Sequence, residues 1–143
     1  MICPKSFSTT TSAAVTFIIC GQLPDHMTVP ERLAPVVEAG IMPAEAVPQW
    51  LESARGLYAG HPQRQRDEAL RTGSIGATAL IYAANALGLG STPIIGFDAE
   101  AVTREFALAH DEVPVMLVSV RAKQPQNWPQ KPRRPVSDLL EFV

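Results

Sequence analysis

A chain of 143 residues, 46% hydrophobic and 18% charged, is long enough for one domain with a sizeable core and too short for two. The formal net charge of -2 provides no basic field to draw in nucleic acid by counterion release, so nucleic acid is not an expected partner. The cysteines, Cys3 and Cys20, form no CxxC and have no histidine pair nearby, which argues against a zinc site or a disulfide framework and fits a reducing cytoplasm.

In chain order, residues 1–13 give little structural signal. Lys5 followed by the apolar stretch Ala13 to Cys20 only faintly imitates a signal peptide: the apolar part is short, a polar Ser/Thr run precedes it, and no small-x-small cleavage site follows. Ala14 to Cys20 (AVTFIIC) reads as a strand covered on both faces, ended by Gly21, Pro24 and Asp25. Val29 to Ala39 suits a short helix with Pro35 limiting its regularity and Gly40 as its stop. Val47, Trp50, Leu51, Ala54, Leu57 and Tyr58 fall on one helical stripe, with Pro48 in the first turn and Gly60 and Pro62 closing it. Their place on that stripe makes Trp50 and Tyr58 core residues rather than substrate stackers.

Gln63 to Arg71 reads as a charged approach to a helix over Thr72 to Leu87, in which Ile75, Leu80, Ile81 and Leu87 alternate with glycines and alanines. Small residues all round a helix let neighbouring backbones come close, so this helix is expected at the centre of the fold. Thr72 to Phe97 carries no charge and is long enough for a membrane span, but five glycines, Asn85 and Pro93 favour burial inside protein, and no membrane partner is expected. Gly88 then Leu89 looks like a left-handed helix cap, Ser91 to Phe97 a loop or short extended piece, and Asp98 a cap for the next helix. There Ala99, Val102 and Phe106 share a face, and Glu100 sits near the positive end of the dipole. Val113 to Val120 is a second apolar strand, Gln124 to Arg134 a surface loop, and Val136 to Val143 an apolar tail that needs something to pack on. Helices alternating with two strands indicate a mixed α and β domain whose thin sheet is incomplete or completed by a partner.

Gly88, Gly90 and Gly96 follow a helix and do not space as GxGxxG, which excludes a Rossmann site. HExxH, GxSxG and P-loop patterns are absent, and His26, His61 and His110 stand isolated, as surface or loop residues. What remains is the small and apolar loop Gly88 to Gly96 and the basic cluster Lys131, Arg133 and Arg134. An apolar backbone edge suits a flat aromatic ring and an Arg/Lys cluster suits a phosphate, although such loops and basic turns commonly do nothing chemical.

The stretch ALRTGSIGATALIYAANALGLGSTPIIGFDAEAVTREFALAHDEVPVMLVSVRA, followed by KPRRPVSDLL, resembles the C-terminal half of nitroreductase-like, FMN-dependent flavoproteins. The shared features are a long buried helix, a GLG-S-x-P-I-x-GF-D segment, a helix opened by that Asp, a buried strand, a K-x-R-x-P turn and a terminal arm, all in order; the earlier EAGIMPAEAVPQWLESARGLYAG also resembles a subgroup of the family. The resemblance implies one α+β domain over residues 1–143, with helices covering both faces of a mainly antiparallel sheet. It also implies an intimate homodimer whose C-terminal arms, here residues 136–143, cross to the neighbouring sheet, with FMN at the interface. Pro93, Ile94 and Gly96 would be flavin contacts; Ile95 lies in the same contact segment where many members have Glu or Gly, which speaks against a polar role there. Lys131 and Arg133 would grip the FMN phosphate. The activity implied is FMN-dependent hydride transfer from NAD(P)H to a small electron-poor acceptor such as a nitroaromatic or quinone, in the cytoplasm, with no catalytic side-chain acid or base. The family's earlier segment, with an Arg-rich flavin-binding motif and an Asn-containing loop, is not found before Ala14. The alternative is therefore a truncated nitroreductase-like domain without turnover, acting as a flavin-binding or protein-interaction module; a third reading is a gene product that starts further upstream.

Overall fold

The computed structural model describes residues 13–125, 129 and 131–142. Cys3, Lys5 and Val143 lie outside them. Among the described residues three strands, β1 (Val15–Gln22), β2 (Leu89–Ile94) and β3 (Glu112–Ala122), form one antiparallel sheet in the order β1-β3-β2. Among the described residues four α-helices accompany it: α1 (Val29–Glu38), α2 (Val47–Tyr58), α3 (Pro62–Ala86) and α4 (Ala99–Glu105). The α+β class expected from the sequence is the class found.

The apolar run of β3 takes the central position, and Val118 is completely buried. Val118 and Val120 pack with Ala77 and Ala84 of α3, and Ile19, Leu80, Ile81, Leu89 and Met116 close around them. By strand alternation Leu117 and Ser119 face the other side of the sheet. The Ser119 hydroxyl is buried but satisfied, 3.0 Å from the Thr16 hydroxyl.

Helix α3 lies along the sheet and touches all three strands. It starts at Pro62, not Thr72: the charged stretch is its first turns, because Ala69 and Gly73 already face the sheet there. Nor is it enclosed all round. Its buried residues are Ala69, Gly73, Ala77 and Ala84, whereas Ile75 and Tyr82 on its outer side are each 71% exposed. No helix among the described residues is long and apolar enough to cross a membrane.

Two further expectations need correction, and one is narrowed. β1 is an edge strand with Val15 and Phe17 exposed, so it is not covered on both faces. Of the loop or short extended piece expected over Ser91 to Phe97, the extended alternative holds at its start, where pairing with β3 draws Leu89–Ile94 into a third strand. Trp50 is 55% exposed: the stripe of α2 faces α1 and the turn His26–Thr28 more than the sheet, and that shallow contact leaves the indole outside. The stops of α2 and α3 are as read, with Gly60 and Gly88 at φ +73° and +75°, a conformation that favours glycine.

Candidate flavin site at the end of the second strand

The segment that carries the ring-binding expectation is contiguous with β2. After the left-handed Gly88, the chain pairs Thr92 with Ser119, Pro93 with Val118 and Ile94 with Leu117. A proline is tolerated because β2 is an edge strand. Ile94 is buried beside Leu117, so what it can offer a ligand is backbone. Pro93 and Gly96 are exposed, and Ile95 is 78% exposed, a large apolar side chain held out into solvent directly beyond the strand.

Helix α4 fixes the far end of this segment. The Asp98 side chain accepts a hydrogen bond from the Ala101 N–H at 2.9 Å, capping the helix, and that bond first of all holds its carboxyl below the usual carboxylate range. A carboxylate whose folded-state pKa is depressed contributes stability above its ordinary value of 3.8, and that contribution is lost as pH falls through the lower folded-state value. We therefore expect Asp98→Asn, which keeps the cap and removes the charge, to melt below the parent at pH 7 and to converge with it under acid. Equal gaps at both pH values in paired thermal melts would refute the assignment.

The basic residues lie on a separate segment. Lys131 and Arg133 are exposed in the irregular stretch before the 3-10 turn Val136–Asp138, and each makes an interaction of its own. Arg134 donates to the Asp138 carbonyl oxygen at 3.0 Å and so has a local structural role. A ring against Pro93 to Gly96 is compatible with the exposed apolar strand end, and a phosphate with the exposed Lys131 and Arg133. The Cys20 thiol is pushed up by burial and then by Glu112, which favours its neutral form.

One arrangement had no sequence signal. Arg32 of α1 donates to the Gln22 side-chain oxygen at 2.8 Å, and the Gln22 amide donates to Asp111 at 2.8 Å. That bond is the main cause of the lowered Asp111 carboxyl pKa. Pairing between residues so far apart leaves no trace in local spacing. Lys123 likewise reaches Asn85 near the C-terminal end of α3, at 3.3 Å.

Comparison with known proteins bears on the family and the fold. The model of the nitroreductase family matches residues 25–120. MhqN of Bacillus subtilis, named as an NAD(P)H nitroreductase, is 34% identical over 82 residues, spanning 57% of this chain and 40% of MhqN. The chain thus spans well under two thirds of that relative. Among solved structures, a Bacillus subtilis protein described as a nitroreductase superposes with a TM-score of 0.83 at 21% identity, covering all of this chain and 75% of the other. A protein of Exiguobacterium sibiricum, also described as a nitroreductase and solved in complex with FMN, gives 0.80 at 23% identity over 94% of this chain and 65% of its own. At such identities the superpositions establish the fold.

Proposed function

The chain belongs to the nitroreductase family, and from that premise we propose that it is an FMN-dependent oxidoreductase that holds the flavin ring against Pro93, Ile94, Ile95 and Gly96. The observation that carries the reading is the exposed apolar end of β2, where Pro93 and Ile95 offer a flat ring two apolar side chains and Gly96 lets the backbone approach. Lys131 and Arg133 hold the phosphate, the arginine through its two-pronged guanidinium. FMN, when held by these residues, would supply the redox chemistry, hydride transfer between NAD(P)H and a nitroaromatic, a quinone or a similar electron-poor acceptor. The chain's own residues orient the ring, and this chemistry requires no side-chain acid or base of them.

The same reading includes a cytoplasmic homodimer. Ile75 and Tyr82 on the outer side of α3, and Leu139, Leu140 and Phe142 in the tail, are exposed large apolar side chains that a second copy would cover. A second reading is a nitroreductase-like module that binds flavin or a protein partner without turnover.

An absorbance spectrum of the purified protein with and without added FMN separates the two, read together with NAD(P)H oxidation. Stoichiometric flavin and acceptor-dependent oxidation are expected. A colourless protein at saturating FMN would sink the oxidoreductase reading, and bound flavin with no oxidation would favour the module.

A further inference from the structure

We propose that the cleft between the start of α3, α4 and the entry to β3 binds a small organic dianion, gripped by Arg66 and Arg104. The cleft measures about 720 Å³, and Leu23, Pro62, Arg66, Arg104, His110 and Val113 are among the residues that line it. Every other arginine of the chain, from Arg32 to Arg134, is engaged with another part of the protein. Among the described residues, the side chains of Arg66 and Arg104 make no hydrogen bond or ion pair, and both open onto this one cleft. A guanidinium carries five N–H donors in a fixed fork that matches a carboxylate or a phosphate group. The acids of the cleft do not satisfy the pair. Glu112 accepts the Ala109 N–H at 2.8 Å, within the turn that leads into β3, and Glu100 makes no ion pair with either arginine among the described residues. Glu100 does repel an anion that extends along α4, which favours a compact ligand.

The walls of the cleft are tied together. The Leu23 N–H donates to the Asp111 carbonyl oxygen at 2.7 Å and the Gln65 side chain to the Pro24 carbonyl oxygen at 2.8 Å, which joins the end of β1 to the other two walls. Beyond α4, the Leu108 N–H returns to the Thr103 carbonyl oxygen at 3.0 Å, with Ala107 at φ +49°, a left-handed conformation uncommon for a residue with a Cβ. These bonds position the segments that carry Arg66, Arg104 and His110 in advance, so binding orders little backbone. Val113, buried, and Pro62 and Pro114 beside it give a carbon skeleton an apolar floor. The site is separate from the flavin segment: it meets β3 at Val113 and Pro114, whereas Pro93 and Ile94 pair with Val118 and Leu117. It is separate also from the face of α3 that a second copy would cover. At 3.6 residues per turn, Arg66 lies about 180° round α3 from Ile75 and about 160° from Tyr82, so pairing through those side chains leaves the cleft open.

Titration calorimetry on the full chain at constant ionic strength tests this, with succinate and inorganic phosphate as dianions and acetate as the monoanion. The phosphate titration is run on Arg133→Ala, so that the flavin phosphate contact cannot account for the heat. At least one dianion should saturate a single site per chain, about tenfold more tightly than acetate, and the tighter of the two identifies the headgroup as carboxylate or phosphate. Arg66→Ala and Arg104→Ala should each weaken that binding about tenfold, the equivalent of one charge-assisted hydrogen bond. Both variants should melt with their parent, because neither side chain has a partner to lose among the described residues. Saturable binding of neither dianion, acetate bound as tightly, or an affinity unchanged in folded Arg66→Ala and Arg104→Ala proteins would overturn the site.

Discussion

Gly21→Ala is expected to cost about 3 kcal/mol, at the upper end of what overpacking does. A Cβ built on Gly21 collides with the backbone carbonyl of Ala69, and neither β1 nor α3 can yield without disturbing the sheet. Ala69 is completely buried at this crossing, and one turn later a Cβ on Gly73 would sit 2.7 Å from Val115 Cγ2. The sheet and its helix therefore meet almost backbone to backbone. For a domain of this size the loss corresponds to a drop in melting temperature of roughly 6–12 °C, readable by calorimetry. Gly56→Ala, exposed in α2 with open space around it, provides the opposite sign, a gain of up to about 1 kcal/mol from helix propensity. A Gly21→Ala protein that melts with the parent would mean that β1 and α3 are further apart than described.

Arg133→Ala is expected to weaken FMN binding about 10- to 100-fold, the equivalent of one or two charge-assisted hydrogen bonds to a phosphate. Arg133→Lys, which keeps the charge and loses the fork, should fall between variant and parent. Flavin fluorescence titrations give the constants, and melting without FMN shows whether the variant is folded. Because Arg133 is exposed, folding should survive. Unchanged affinity in a folded Arg133→Ala protein would remove this residue from the phosphate site and return the basic turn to a merely solvated role.

Much of the architecture was legible in the chain. The apolar runs at Ala14 and Val113 became β1 and β3, and helix stops coincide with Gly60 and Gly88, where a positive φ leaves glycine as the natural choice. The first turns of α3 were not legible, because the residues that bind it to the sheet there are Ala69 and Gly73, which carry almost no hydrophobic signal beside Arg64, Arg66 and Arg71. β2 was left open between a loop and a short extended piece because Gly90, Ser91 and Pro93 have poor intrinsic strand preference; β3 confers the conformation by pairing. Trp50 was misplaced since amphipathic periodicity tells which face is apolar, not how much protein lies against it. The flavin contacts at Pro93 to Gly96 and the Lys131/Arg133 pair came from resemblance alone, because an apolar strand end and a basic turn have no distinguishing pattern of their own.

The long reach of the β1 to β3 pairing also sets an order of events during synthesis. Thr16 and Ser119, hydrogen-bonded in the finished sheet, are 103 residues apart in sequence. At ordinary elongation rates roughly 5–20 s separate their appearance from the ribosome. Throughout that interval the uncharged segment Val15–Gln22 has emerged but its partner strand has not been made. The helices, whose contacts are local, can form early, while β1 waits for the last strand to be translated; until then it is the part of the nascent chain most open to pairing with a stranger.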